Sequence, residues 1–113
     1  MADPTEVVGA FNDAINRRDL DALAALMTDD HRFIDSAGGH TDGKPACIEA
    51  WQGFFATFPD YRNVFTDVTD EGGGVVTVRG HSTCSVPVLD GPARWRAVVS
   101  DDRVASWHVT DVG

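Results

Sequence analysis

The stretch that decides the fold is NRRDLDALAALMTDDHRFIDSAG, residues 16–38. Asp19 can cap a helix in it, and Thr28-Asp29-Asp30 is expected to end that helix. Apolar residues recur between these limits with helical spacing: Leu20, Leu23, Ala24, Leu26 and Met27. From His31 to Ala37 the chain is aromatic or β-branched at its centre and closes at Gly38-Gly39, as a strand before a loop does. The stretch therefore predicts a short helix that leads directly into a strand.

Two further helices are predicted on either side of this stretch. Before it, Asp3 at the cap, Pro4 at the first helical position and Glu6 form a capping-box pattern. The apolar residues that follow at helical spacing are Val7, Val8, Phe11, Ala14 and Ile15. After it, Gly43-Lys44-Pro45 opens a helix that Pro59 stops. This last helix has the bulkiest apolar face of the chain: Ile48, Trp51, Phe54, Phe55 and Phe58.

The second half of the chain alternates apolar and polar residues, as strands do. The predicted strands and turns are strands 61–70 and 75 to about 86, the turn 71–74 between them, and strands 93–100 and 103–112 around Asp101-Asp102. Helices gathered before such a meander predict an α+β fold, with three N-terminal helices packed in the concave face of a strongly curved, mostly antiparallel sheet. A sheet curled around helices forms a cone-shaped barrel, and the mouth of the cone is a natural small-molecule site.

Composition bounds the class of protein. The chain has 113 residues, 42% of them hydrophobic, which suits one domain over residues 1–113 whose core needs no disulfide or metal. Its 18 acidic and 9 basic side chains give a net charge of −9. Nucleic acid and anionic membranes attract clustered Lys and Arg, so neither is expected as a partner. Cys47 and Cys84 match no metal or redox spacing and are expected to be buried, reduced thiols. With no signal-peptide pattern and no membrane-spanning run, a soluble, cytoplasmic protein is expected.

Several local motifs follow one another in a fixed order from about Val7 to Val112. They are NRRDLDAL at 16–23, MTDD at 27–30, FIDSAG at 33–38, GK at 43–44, FPD at 58–60 and RVASWHVTD at 103–111. Together they resemble the nuclear transport factor 2-like superfamily, which includes ketosteroid isomerase, SnoaL-type polyketide cyclases and limonene epoxide hydrolase. The Phe-Pro-Asp motif and the final Trp with an Asp four residues later look most like the SnoaL branch. The resemblance implies a homodimer through the exposed face of the sheet.

Asp35 is the first candidate catalytic residue. It follows Phe33 by two positions on a predicted strand, so both side chains share a face, the inner face if Phe33 points into the cone. Burial of a carboxylate among aromatic rings disfavours its charged form, which suits a general base. The general base of ketosteroid isomerase is such an Asp, and its matching position here is Asp35. The alternative is that Asp35 caps the Gly38-Gly39 turn or faces solvent.

The likeness to ketosteroid isomerase does not extend to its oxyanion donors. That enzyme also uses a Tyr and a protonated Asp to stabilise the enolate oxygen. The Tyr position matches Phe11, which has no hydroxyl, and the second Asp falls near Arg94 or Trp95. Because loss of one oxyanion donor costs on the order of 10²–10³ in rate, steroid-type double-bond isomerisation is not expected.

Asp111 is the second candidate carboxylate. On the last strand it shares a face with Trp107 and Val109 by strict alternation, so it lies near Asp35 if Trp107 lines the cone. SnoaL-type cyclases use an acid–base Asp for aldol ring closure, and Asp111 fits the final Trp-to-Asp spacing of that branch. The alternative is that Asp111, near the end of the chain, is solvated.

Arg79 and His81 form a third candidate pair, on one face of the strand that starts at residue 75. Limonene epoxide hydrolase has an Arg and an Asp at this spacing, but His81 stands in place of that Asp, so epoxide hydrolysis is not expected. A neutral imidazole could still pass a proton between substrate and carboxylate. The alternative is a hydrogen-bonded structural histidine. The four histidines show no metal-ligand spacing, so no metal site is expected.

The sequence thus predicts an apolar cavity that binds a small hydrophobic, carbonyl-bearing molecule. If the protein is an enzyme, it is an isomerase or cyclase with acid–base chemistry at carbon, with Asp35 as base and Asp111 or His81 as acid partner. No phosphate loop, Rossmann pattern or nucleophile elbow is present, so no cofactor is expected. The alternatives are a non-catalytic ligand-binding module and a dimerisation domain with a filled cavity. The predicted pocket residues are Phe11, Phe33, Trp51, Phe55, Arg79, Trp95, Trp107 and Val109.

Overall fold

Three helices and six strands make up the computed structural model, which describes residues 3–112 of the chain and the side chains of residues 3–110. The elements in chain order are α1 (Pro4–Arg17), α2 (Leu20–Ala25), β1 (Met27–Ile34), β2 (His40–Asp42), α3 (Lys44–Thr57), β3 (Arg62–Gly72), β4 (Val75–Thr83), a 3-10 helix (Pro87–Leu89), β5 (Gly91–Ser100) and β6 (Arg103–Val112). Within residues 3–112 no helix has the length and apolar character needed to cross a lipid bilayer.

The strands form one sheet in the order β2-β1-β6-β5-β4-β3. Every neighbouring pair is antiparallel except β1 and β6, which run parallel. Helix α1 packs against β3 to β6 and α3 against β1 and β2, so the helices fill the concave side of the sheet. The predicted α+β cone is confirmed.

The two predicted N-caps are confirmed at the atomic level. The carboxylate of Asp3 accepts a hydrogen bond from the amide of Thr5 at 2.8 Å, and that of Asp19 accepts from the amide of Ala22 at 3.0 Å. Between them Arg18 ends α1 in the left-handed conformation, at φ 56°. These caps satisfy helix N–H groups that would otherwise lack partners, and the cap at Asp19, directly after Arg18, fixes the sharp corner between α1 and α2.

The start of the first strand differs from the prediction. Strand β1 begins at Met27 rather than His31, because Met27 pairs with Val104 of β6 and the amide of Val104 donates to the carbonyl of Leu26 at 2.6 Å. This contact joins residues far apart in sequence, so local spacing could not reveal it. The short strand β2 was not predicted. The Asp101-Asp102 hairpin was, and both residues have positive φ, 52° and 61°, as a type I′ turn requires.

A bulge bends β3 over β4. The register shifts between Phe65 and Asp67, which leaves an extra residue in β3. A methyl group at Gly80 of β4 would overlap the carbonyl oxygen of Val64, so the close approach of the two strands at this point requires glycine.

A buried histidine, His31, packs between β6 and α1. The Nδ1 atom of His31 lies 2.6 Å from the carbonyl oxygen of Val104, and its ring packs against that of Phe11 with centroids 5.7 Å apart. Its Nε2 atom is buried and has no hydrogen-bond partner. Burial lowers the pKa of His31, and this effect outweighs the hydrogen bond to Val104, which raises it. His31 is therefore neutral, with Nδ1–H as the donor.

We expect the free energy of unfolding to fall as the pH drops below the ordinary histidine pKa of 6.5. Because the pKa of His31 is lower in the folded state, the unfolded chain binds the proton more readily. The contribution is complete above pH 6.5 and is lost between that pH and the lowered folded pKa, by at most about 1.4 kcal/mol per pH unit. Urea unfolding at about pH 7.5 and about pH 5.5 measures this difference.

Two variants identify His31 as the source of this pH dependence. His31→Gln should show a smaller stability difference between the two pH values than the wild type. His40→Gln, which alters an exposed histidine 3.2 Å from Asp42, should keep the wild-type difference. An unchanged pH dependence in His31→Gln would contradict the assignment.

Candidate functional site

A cavity of about 330 Å³ lies inside the cone. Its apolar lining comes from β1, α3, the 3-10 helix, β5 and β6: Phe33, Ala50, Trp51, Phe54, Leu89, Ala93, Trp95, Trp107 and Val109. Small-molecule pockets start at roughly 300 Å³ and are mostly apolar with a few polar groups. The cavity therefore has the size and character for a compact hydrophobic ligand.

Edge-to-face ring contacts form the α3 side of the cavity. The ring of Trp51 meets Phe33 at a centroid distance of 5.7 Å and an angle of 76°, and Phe54 at 5.6 Å and 83°. Phe54 in turn meets Tyr61 edge-on at 4.8 Å. Such T-shaped pairs favour one relative orientation of the rings, so this wall is preorganised before any ligand arrives.

Two hydroxyl groups stand next to each other in the mostly apolar lining, whose other polar side chains are Asp35, Ser36, Thr41 and Cys47. The phenol oxygen of Tyr61 lies 3.2 Å from the Oγ atom of Ser82, and Ser82 donates to the Oδ1 atom of Asn63 at 2.8 Å. Burial raises the pKa of Tyr61, which keeps the phenol neutral. Sequence reasoning missed this pair. The signal was the alternation along β4, where Ser82 has the same parity as the apolar Val76 and Val78.

A clamp of asparagines fixes this polar pair to α1. The side chain of Asn16 donates to the carbonyl oxygen of Asn63 and accepts from its amide, both at 2.8 Å. Asn12, also on α1, donates to the same carbonyl at 3.3 Å. The first residues of β3 are thereby held against the helix, and the polar pair is held with them.

Asp35 lies at the mouth of the cavity rather than inside it. It belongs to the lining but is exposed to solvent, so the predicted burial against Phe and Trp is wrong. Its Oδ1 atom accepts hydrogen bonds from the amides of Ala37 and Gly39, each at 2.9 Å. These bonds close the turn after β1, which was the alternative prediction for this residue. Both hydrogen bonds are made to the Oδ1 atom of Asp35, and neither is made to its Oδ2 atom.

His81 and Arg79 lie on the outer face of the sheet, and neither belongs to the cavity lining. The Nε2 atom of His81 lies 3.8 Å from Asp90. The prediction placed the wrong face of β4 toward the cavity. The buried residues of this strand include Val78 and Ser82, which alternate with Arg79 and His81 and therefore lie on the opposite face. The homodimer that the resemblance implies stays a prediction, and this outer face is the surface it would use.

The side chain of Asp111 lies outside the described residues. Its backbone pairs with Arg94, whereas Val109 pairs with Trp95. A register shift between these two pairs interrupts the strict alternation from Trp107 on which the prediction for Asp111 rested.

Phe11 and Phe55 belong to the core rather than to the cavity lining. Phe11 is fully buried and packs on Trp107 with ring centroids 4.8 Å apart. Phe55 packs on Trp51 at 5.4 Å. The predicted pocket residues that the structure brings together in the lining are Phe33, Trp51, Trp95, Trp107 and Val109.

The cavity also contains a thiol. The Sγ atom of Cys47 lies 3.5 Å from the carbonyl oxygen of His31 and 3.4 Å from that of Thr41. Burial raises the pKa of Cys47, so the group stays a protonated donor to these carbonyls. Cys84, predicted to be buried, is half-buried. Among the described side chains no three His, Cys, Asp or Glu residues converge as metal ligands would.

The model of the SnoaL-like domain family matches residues 8–112, almost the whole chain. The chain belongs to the SnoaL-like domain family. It is therefore a member of the nuclear transport factor 2-like superfamily, as the motif order indicated. No curated protein sequence matches this SnoaL-like domain.

Solved structures have the same fold as this SnoaL-like domain. A candidate polyketide cyclase from Sinorhizobium meliloti has a TM-score of 0.83 and 21% identity, over 92% of this chain and 93% of that one. IdmH, a candidate polyketide cyclase from Streptomyces antibioticus, has a TM-score of 0.79 and 19% identity, over 96% of this chain and 91% of that one. A candidate ketosteroid isomerase from Kribbella flavida has a TM-score of 0.77 and 18% identity, over 94% of this chain and 75% of that one. At these identities the likeness establishes the fold alone.

Proposed function

We propose that this SnoaL-like domain binds a compact, hydrophobic, mostly aromatic molecule with one polar group in the cavity of its cone. The observation that carries the proposal is the lining: it contains five aromatic rings besides that of Tyr61, and the neighbouring hydroxyls of Tyr61 and Ser82 are among its few polar groups. Apolar surface supplies most of the affinity in such a site, and the few polar groups fix the orientation of the ligand.

Three features support binding as the primary activity. The cavity is open, and its one carboxylate among the described side chains, that of Asp35, is exposed at the mouth. The position that matches the oxyanion tyrosine of ketosteroid isomerase is the buried core residue Phe11. Among the described side chains the lining therefore has no buried carboxylate and no histidine, which is more typical of a binding site than of a catalytic one.

Calorimetric titration with two- and three-ring phenols and ketones tests the proposal. We expect dissociation constants between about a micromolar and a millimolar for at least some of these probes, because a small cavity limits the buried apolar area. Chemical shifts of Trp95 and Trp107, followed by NMR, would locate the ligand in the cavity. Binding weaker than millimolar for the whole panel would contradict the proposal.

Acid–base catalysis at carbon is the second candidate function, and the position of Asp35 favours it. The carboxylate lies in the lining at the mouth, and two backbone amides hold its Oδ1 atom. Its Oδ2 atom takes part in neither bond and is the atom that would remove a proton from an enolisable ketone in the cavity. The solved structures of candidate cyclases and isomerases with this fold agree with this second candidate.

Asp35→Asn distinguishes catalysis from binding. If Asp35 is a base, the wild type should accelerate deuterium exchange at the α-carbon of 2-tetralone, and Asp35→Asn should lose about 10²-fold or more of that acceleration, the typical contribution of a general base. Asp42→Asn is the matched control, because Asp42 is exposed, pairs with Arg32 at 2.5 Å and lies outside the lining. Equal exchange in Asp35→Asn and the wild type would rule out Asp35 as the base.

A further inference from the structure

The hydroxyls of Tyr61 and Ser82 belong to a hydrogen-bonded chain that ends at Asn63. Tyr61 lies 3.2 Å from Ser82, and Ser82 lies 2.8 Å from the Oδ1 atom of Asn63. Ser82 and Asn63 are almost fully buried, at 5% and 2% exposed, and they pair directly across β3 and β4. This series of hydrogen bonds therefore runs from the cavity into the sheet, where water cannot compete for the bonds.

The Asn63 end of this series of hydrogen bonds decides which group donates and which accepts in each of them. A carboxamide oxygen can only accept, so Ser82 must donate its single proton to Asn63. The serine oxygen can then only accept from Tyr61, and the phenol proton is directed at Ser82. The side chain of Asn63 also hydrogen-bonds to the Tyr61 hydroxyl and lowers its pKa, an effect smaller than that of burial, so the Asn63 amide donates to one lone pair of the phenol oxygen. The second lone pair is then the one that Tyr61, as a lining residue, can offer to a ligand. Toward a ligand Tyr61 is thus an acceptor, the reverse of the donor that an enolate or carbonyl oxygen needs.

We propose that Tyr61 accepts a hydrogen bond from the hydroxyl group of a phenol or enol bound in the cavity, and that this bond selects hydroxyl-bearing ligands over carbonyl- or ether-bearing ones. The proposal rests on the proposed function, since it names the polar group of the ligand that the cavity binds. The hydrogen bonds of Asn16 and Asn12 to the backbone of Asn63 hold the start of β3 against α1, and they thereby fix the position of the side chains that hydrogen-bond to Tyr61.

A matched pair of probes tests the direction of the bond. The probes are 2-naphthol and 2-methoxynaphthalene, which share the ring system and the oxygen atom, and only the first has a proton to donate. We expect the ratio of their dissociation constants to favour 2-naphthol in the wild type. In Tyr61→Phe, which keeps the ring, this preference should shrink about two- to tenfold, the usual effect of one neutral hydrogen bond.

Ser82→Ala provides a second readout. Without Ser82 as acceptor, the phenol proton of Tyr61 is free to turn toward the cavity, so the site can donate as well as accept. In this variant we expect the dissociation constant of 2-methoxynaphthalene to fall relative to that of 2-naphthol. In Tyr61→Phe only the binding of 2-naphthol should weaken. Thermal unfolding of both variants checks that the fold is intact.

The outcomes separate this inference from the proposed function. If both probes bind the wild type and Tyr61→Phe with the same ratio, Tyr61 is not the acceptor and the inference is overturned, while the cavity still binds aromatic ligands. A preference for 2-methoxynaphthalene in the wild type that disappears in Tyr61→Phe means that the phenol donates, and it overturns the inference as well. Failure of both probes to bind the wild type contradicts the proposed function itself.

Discussion

Ala93→Leu should weaken the binding of an aromatic ligand about 10- to 100-fold without destabilising the protein. Ala93 is buried and lines the cavity, so a larger side chain fills space that the ligand needs. Burial of a leucine side chain is worth about 1.5–3 kcal/mol, which is the contact energy that the ligand would lose, and each 1.4 kcal/mol is about tenfold in affinity. Calorimetry with 2-naphthol measures the loss.

The expected stability of Ala93→Leu makes this result specific. Filling a void adds apolar contacts, so the midpoint of thermal unfolding should stay equal or rise. Ala56→Leu is the control, because Ala56 is exposed on α3 and lies outside the lining, and it should bind like the wild type. Undiminished binding by Ala93→Leu would place the ligand elsewhere on the protein.

Trp107→Ala should reduce the free energy of unfolding by about 3–5 kcal/mol, the range for removing a large buried aromatic side chain. Trp107 is 1% exposed, with ring centroids 4.8 Å from Phe11 and 6.2 Å from Phe65. Because domains are stable by about 5–15 kcal/mol in total, this variant should lie near the limit of folding. Urea unfolding measures the loss.

Trp107→Phe separates packing from other effects of the substitution. It keeps an aromatic ring between Phe11 and Phe65 and should therefore lose less stability than Trp107→Ala. A loss below about 1 kcal/mol in Trp107→Ala, no more than an average substitution, would mean that this ring does not join α1 to the sheet.

Local signals were sufficient for the elements whose ends are set by local chemistry. The caps at Asp3 and Asp19 and the turn at Asp101-Asp102 each involve atoms a few residues apart, and each was predictable. The start of β1 at Met27 depends on pairing with Val104, a partner that no local window contains. The fold could therefore be predicted in outline, and the strand boundary could not.

The candidate site was less predictable, because it depends on which face of each strand is buried. For β4, the buried parity of Val78 and Ser82 was present in the sequence, but the chemistry of Arg79 and His81 suggested the opposite face. For β6, the register shift between the Val109 and Asp111 pairs comes from strand pairing and has no local signal; the face that Asp111 takes stays a prediction, because its side chain lies outside the described residues. A one-residue change of parity moves a side chain from one face of a sheet to the other, so the cavity lining was harder to predict than the fold.

The missing methyl group at Gly80 has a consequence for protein engineering. Because the carbonyl of Val64 occupies the space above Gly80, the outline of the sheet beside Ser82 is set by backbone against backbone. Substitutions of lining side chains such as Ala93 then change the contents of the cavity without changing that outline. The scaffold can accordingly be redesigned for other compact ligands by replacing lining side chains, provided that position 80 stays glycine.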